Sequence, residues 1–151
     1  MYYTTEVKHK ETKSMDLQAY QDFIVEYSGT YGLPDSIACQ TVRLGLMGES
    51  GEVIEWIKKS LRDGTPDITV LKAELGDVLA YLFLSMKDVG IYVRPHLHCT
   101  RELYSTILMW EKTIQARCVL VAIMRIAFLY DIKFEDIVQD NWNKLSKRLA
   151  E

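Results

Sequence analysis

An all-α, four-helix-bundle-like fold with an extra helical insertion is what this 151-residue chain predicts, and three observations point to it. All eight Gly fall at or before Gly90 and all three Pro at or before Pro95, which leaves 96–151 free of helix breakers. Apolar residues recur at spacings of three and four almost throughout, and the only weak strand-like alternation is at 91–94. Capping and stop signals stand where a helical chain must turn.

Taken in order, Ser14 is placed to cap a first helix whose Leu17, Tyr20, Phe23, Ile24 and Tyr27 form one stripe, ended by Gly29 and Gly32. A second helix opens near Pro34 and Asp35 and runs to Arg62. Its end is well marked: Lys58, Lys59 and Arg62 suit the negative end of the helix dipole, Gly64 suits a left-handed C′ position, and Pro66 follows. Asp67 can cap a third helix that reaches Met86. Leu103, Ile107, Trp110 and Ile114 make the stripe of a fourth segment, and 118–130 is apolar on nearly all sides, as in a buried helix. The pattern leaves open whether 100–130 is one helix or two. The last helix, 134–149, turns Phe134, Val138, Leu145 and Leu149 inward. No repeat or linker divides the chain, so 1–151 reads as a single domain.

Charge and cysteine usage narrow the function classes. Eighteen Lys and Arg against 21 Asp and Glu leave a net charge of −3. No broad basic face tracks a phosphate backbone, and a nucleic-acid polymer is not an expected partner. Cys39, Cys99 and Cys118 are scattered, with no C-x-x-C, which points to a reducing compartment. The N-terminus lacks the apolar core of a signal peptide, and the longest apolar runs fall well short of about 18–20 residues. A cytoplasmic protein with no membrane partner is expected.

The chemistry concentrates in two helices. Glu49-x-x-Glu52 lies in the second and Glu74-x-x-Asp77 in the third, each pair on one side of its helix. An isolated Glu-x-x-Glu is ordinarily solvated surface. These pairs, however, sit among Leu, Met, Val, Ile, Trp and Phe, and buried carboxylates persist only when paired, protonated or coordinating metal. Too few cations are interleaved to pair all four, so a hard divalent cation is expected: Mg²⁺, with Mn²⁺ as its substitute. Gly45, Gly48, Gly51 and Gly76 each cost about 1 kcal/mol relative to Ala inside a helix, and something must require them. Close packing of a neighbouring helix and access for a ligand are both open readings. Trp56 and Lys59 follow Glu49 by seven and ten residues, and Tyr81 follows Glu74 by seven, positions that project over the carboxylates. Lys59 could meet a phosphate. The two aromatics could stack on a base, although ordinary core aromatics is the stronger reading of both. Asn141, Lys144 and Arg148 share one stripe of the last helix and would suit a polyphosphate, or equally a solvated cationic helix end.

The ordered set Leu46-x-Gly-Glu49-x-Gly-Glu52-Val, Glu74-Leu-Gly-Asp77-Val-Leu-x-Tyr81-Leu and Asn141-x-x-Lys144-Leu-x-x-Arg148, with Tyr20-Gln21 upstream, resembles the MazG-like all-α nucleoside triphosphate pyrophosphohydrolases. The resemblance covers about 15–90 and 127–149. It implies a MazG-type fold and a Mg²⁺-dependent enzyme that hydrolyses NTPs or dNTPs to the monophosphate and pyrophosphate. Carried over by motif position, Glu49, Glu52, Glu74 and Asp77 are the metal ligands; the chemistry of such a centre further expects one of the four carboxylates, Glu49 or Glu52 foremost, to take the proton from the attacking water, and the sequence does not choose between them. Lys59, Asn141, Lys144 and Arg148 carry over as substrate-side residues, and Trp56 and Tyr81 join them only through the spacing that projects them over the carboxylates. The resemblance further implies a homodimer or homotetramer whose pocket a neighbour helps to wall.

The chain departs from a compact MazG-like unit by an insertion of about 40 residues, near 87–125. Within it His96-Leu-His98-Cys99 lacks a partner cluster and reads as a polar turn rather than a soft-metal site. Two other functions compete with general nucleotide hydrolysis: a nucleotide-specific dUTP or dCTP pyrophosphatase, and a non-enzymatic helical assembly protein with a structural metal site. A di-iron carboxylate bundle is disfavoured, since its Glu-x-x-His occurs only at Glu6-x-x-His9 in the polar N-terminal segment.

Overall fold

The computed structural model describes residues 16–29, 35–64, 67–88, 90 and 114–151, without the side chains of 35–36 and 114–118. Five helices and no strand occur among them: α1 (Leu17–Gly29), α2 (Asp35–Asp63), α3 (Ile68–Asp88), α4 (Ile114–Leu129) and α5 (Phe134–Ala150). The predicted all-α class is the observed one. Ser14, the segment 91–94, most of the insertion and its His96, His98 and Cys99 lie outside the described residues.

The caps show why the helices begin where they do. Asp16 caps α1: its Oδ1 accepts from the amides of Gln18 at 3.0 Å and Ala19 at 3.3 Å. Asp67 caps α3 as expected, its Oδ1 accepting from the Thr69 amide at 2.8 Å. Gly64, at φ +98°, takes the left-handed position that ends α2. Between α4 and α5, Asp131 adopts a positive φ of 53°, and the Ile132 amide closes back on the Ala127 carbonyl at 2.8 Å.

Helix α3 is the axis of the fold, packing against each of the other four helices. That explains its near-continuous apolar run: Leu71, Leu75, Val78, Leu79, Leu82, Phe83 and Met86 are all buried. Helices α2 and α3 form an antiparallel hairpin, because residues late in α2 meet residues early in α3. The Trp56 indole N–H donates to the Asp67 carbonyl at 3.2 Å, while three to four turns on, Gly45 lies under the ring of Tyr81. Tyr20, Phe83, Phe23 and Trp142 pack as an aromatic cluster between α1, α3 and α5.

Two sequence expectations are corrected. The stretch 118–130 is one-sided rather than buried all round: Leu120, Ile123 and Ala127 face the core, but Phe128 and Leu129 are 84% and 75% exposed. The α4 helix meets α3 along a single face, so its other side has no described neighbour to cover it. Leu149 is exposed instead of inward, because it sits in the final turn of α5, beyond the buried Leu145.

Candidate active site on the acidic hairpin

The antiparallel pairing of α2 and α3 brings Glu49 level with Glu74 and Asp77. Carboxylate oxygens of these three residues lie within 4.8 Å of one another, each side chain partly buried. Glu52 is exposed and stands outside this group. Successive residues turn about 100° around a helix, so positions three apart differ by about 60°. With Glu49 aimed into the hairpin seam, Glu52 falls on the rim. It is still near enough for its charge to push the carboxyl pKa values of both Glu49 and Glu74 upward.

Burial is the largest cause of those upward shifts, followed in each case by repulsion from Asp77. Lys144 counters in part, its ammonium paired with Asp77 Oδ2. One cation against three clustered carboxylates leaves a local excess of negative charge in a partly desolvated place. All-oxygen donors of that geometry fit a hard divalent cation, so the residues present match the metal that the sequence pattern calls for.

Asp77 is held from behind. The Asn141 amide Nδ2 donates to Asp77 Oδ1 at 2.8 Å, and the Tyr20 hydroxyl donates to Asn141 Oδ1 at 2.8 Å. Burial keeps the Tyr20 phenol far above its ordinary pKa, so it remains a donor. Gly76 makes this line possible: a Cβ there would stand 2.9 Å from Asn141 Cβ. Without a side chain at position 76, α5 approaches α3 closely enough for the short Asn amide to reach Asp77. Of the two open readings for Gly76, close helix packing is the observed one.

The remaining sequence candidates separate. Asn141 is 3% exposed with both ends of its amide engaged, so it positions Asp77 rather than contacting a substrate. Trp56 is buried at 6% exposure, with its N–H on Asp67 and its ring edge-on to Tyr130 at 5.0 Å. It is a core aromatic, and no base can stack on a ring so enclosed. Lys59 lies outside the carboxylate group, exposed and 3.6 Å from Glu55. Tyr81 and Arg148 do converge on the site. With Glu49, Asp77, Tyr27 and Ser28 they line a cavity of about 160 Å³ between α1, α2, α3 and α5. Burial and the charges of Glu49 and Asp77 push the Tyr81 phenol upward. Tyr27 and Ser28 are lining residues that sequence reasoning did not single out. The available signal was the position of Tyr27, seven residues after Tyr20 on the inner stripe of α1.

Fold and site together define an all-α protein whose central helical hairpin carries a clustered-carboxylate centre fitted to a hard cation. Comparison with known families agrees: residues 38–89, about a third of the chain, match the MazG nucleotide pyrophosphohydrolase domain, and the resemblance read from the motifs is shown over that hairpin. The matched stretch runs from the first turn of α2 to the end of α3 and contains all four carboxylates. No curated protein and no solved structure matches the chain. Among the described residues no helix is long and apolar enough to cross a membrane.

Proposed function

We propose that the protein is a Mg²⁺-dependent nucleoside triphosphate pyrophosphohydrolase, converting NTPs or dNTPs to the monophosphate and pyrophosphate. The observation that carries this reading is the convergence of Glu49, Glu74 and Asp77 beside a cavity walled by Tyr27, Tyr81 and Arg148, on a hairpin of the MazG family. Glu49, Glu74 and Asp77 would hold the metal, which when bound supplies neutralisation of the polyphosphate charge and acidification of a water. At about 160 Å³ the cavity is smaller than the roughly 300–1,000 Å³ of ordinary ligand pockets, so it takes one part of a nucleotide.

In this reading, Arg148 at the cavity mouth offers a bidentate donor to a phosphate, and Tyr81 presents its ring to the base or sugar. Lys144, Asn141 and Tyr20 fix Asp77 in one rotamer, so that the centre is pre-organised before substrate arrives. Glu52, exposed and outside the carboxylate triad, is the carboxylate left free to take the proton from the attacking water. Water oxygen bonds to the α-phosphorus, the bond from that phosphorus to the bridging oxygen breaks, and pyrophosphate leaves with the electron pair. The protein works in the cytoplasm, as the scattered cysteines suggest, and as a homodimer or homotetramer.

The test is incubation with Mg²⁺ or Mn²⁺ and a panel of NTPs and dNTPs, with separation of the products. Monophosphate plus pyrophosphate, abolished by EDTA, is expected, and the panel shows whether dUTP or dCTP alone is accepted. Release of orthophosphate, or no turnover on any nucleotide, overturns the reading. Glu52→Gln should lose turnover while retaining metal binding by calorimetry, whereas Glu49→Gln should lose both.

A further inference from the structure

We propose that Lys144 is the resident counter-ion of the metal-free carboxylate centre, and that a divalent cation displaces it from Asp77 onto Asp140. The inference rests on the metal centre proposed above and adds to it a residue that competes with the cation. The Asn141 amide donates to Oδ1 of Asp77, and the Lys144 ammonium takes Oδ2. Both oxygens of that carboxylate therefore already carry a donor. The same ammonium acts on the rest of the cluster, since its charge opposes the upward push on the carboxyl pKa values of Glu49 and Glu74. Among the described residues no other Lys or Arg is ion-paired with these three carboxylates.

Two cations on one carboxylate in a partly desolvated place repel strongly, so the ammonium must move when the divalent ion arrives. Its own helix offers the second position. Asp140 precedes Lys144 by four residues in α5, the spacing and order that favour an acidic–basic pair on one helix face. The structure forgoes that pair: Lys144 reaches across to Asp77 of α3, and Asp140 takes Lys72 of α3 at 2.7 Å. Asp140 is half-exposed, and Lys144 itself stands on the rim of the site, so a swing between the two carboxylates disturbs no core packing. Lys72, Asp140, Asn141 and Lys144 together line a cavity of about 180 Å³ that gives the ammonium room to turn.

Asn141 does not share this freedom. It is 3% exposed and accepts from the Tyr20 hydroxyl, so it stays on Asp77 Oδ1 and keeps that carboxylate oriented after the lysine leaves. The two partners of Asp77 thus divide the work: the buried amide orients it, and the exposed ammonium neutralises it. The distinction has a sign that metal affinity reads. Loss of a residue that only orients Asp77 would weaken cation binding. A resident counter-ion stabilises the metal-free centre more than the occupied one, so its loss should tighten cation binding.

The test titrates Mn²⁺ alone into the full chain by calorimetry, after EDTA treatment and dialysis. Lys144→Met and Lys144→Gln should each bind Mn²⁺ about fivefold tighter than the parent, the equivalent of one partly exposed ion pair. Lys144→Arg keeps the charge and should bind no tighter than the parent. In urea denaturation both neutral variants should be less stable than the parent in EDTA, and saturating Mn²⁺ should narrow that gap. Asp140→Asn should weaken Mn²⁺ binding by about twofold more in the parent than in Lys144→Met, since only the parent has a lysine to receive. Unchanged or weaker binding in both neutral variants, tighter binding in Lys144→Arg, or no Mn²⁺ binding by any of these proteins overturns the proposal. An equal effect of Asp140→Asn in the two backgrounds overturns Asp140 as the receiving carboxylate. Pyrophosphate release with Mn²⁺ affinity unmoved by the neutral variants defeats the displacement and leaves the proposed reaction standing.

Discussion

Replacing Glu49 by Gln should stabilise the metal-free protein, the opposite of what removal of a site residue ordinarily does. Oxygens of Glu49, Glu74 and Asp77 lie within 4.8 Å of one another. Two unit charges at that separation repel by roughly 3.5 kcal/mol at an effective dielectric of about 20. Screening with a Debye length of about 8 Å reduces this to about 2 kcal/mol. Glu49 has two such neighbours, and the Lys144 ammonium offsets about one of them. Neutralising Glu49 should therefore add about 2 kcal/mol, or roughly 4–8 °C in Tm for a chain of this size. Thermal and urea denaturation at pH 8 in EDTA measure it. The pH dependence has a definite sign. Glu49 and Glu74 hold carboxyl pKa values raised above 4.5 in the folded chain, so above that pH the folded state binds more protons than the unfolded one. Their contribution to stability is complete below about pH 4.5 and is lost as pH rises through the raised values. Glu49→Gln should flatten that slope. A variant no more stable than the parent in EDTA, with the slope unchanged, would refute the electrostatic account of the site.

Three further outcomes are expected. Millimolar Mg²⁺ or Mn²⁺ should raise the Tm of the parent protein and leave that of Glu49→Gln nearly unmoved, as differential scanning fluorimetry would show. Tyr20→Phe should cost about 1–3 kcal/mol in urea denaturation, because the buried Oδ1 of Asn141 loses its donor, and it should lower turnover by loosening Asp77. Gly76→Ala should lower stability despite the better helix propensity of Ala. Its Cβ would stand 2.9 Å from that of Asn141, and overpacking of about 1–3 kcal/mol outweighs a propensity gain of about 1.

Much of this molecule is legible without coordinates. Local chemistry marks the helix ends: Asp67 caps α3 and Gly64 stops α2 because the orphaned amides and the left-handed turn ask for those residue types. The inner stripes at Leu17, Tyr20 and Ile24, and at Phe134, Val138 and Leu145, are buried as their spacing requires. Position in the chain put four carboxylates, Glu49, Glu52, Glu74 and Asp77, on two helices joined by a short turn, and three of them, Glu49, Glu74 and Asp77, come within 4.8 Å of one another while Glu52 stands apart.

What the sequence by itself determined was periodicity and the marked helix ends at Gly64 and Asp67, which follow from neighbours within a few residues. Only the tertiary structure decided which way each side chain at the site turns. Trp56 and Tyr81 look alike in the sequence, yet one is sealed against Tyr130 and the other lines the cavity. Asn141 reads as a substrate contact until Gly76 is seen to admit α5, whereupon its amide is committed to Tyr20 and Asp77. Glu52 shares a motif with Glu49 but stands on the rim, because a rotation of about 60° suffices to leave the seam. Such choices depend on the angle and closeness at which helices distant in sequence meet, and no local pattern encodes that geometry.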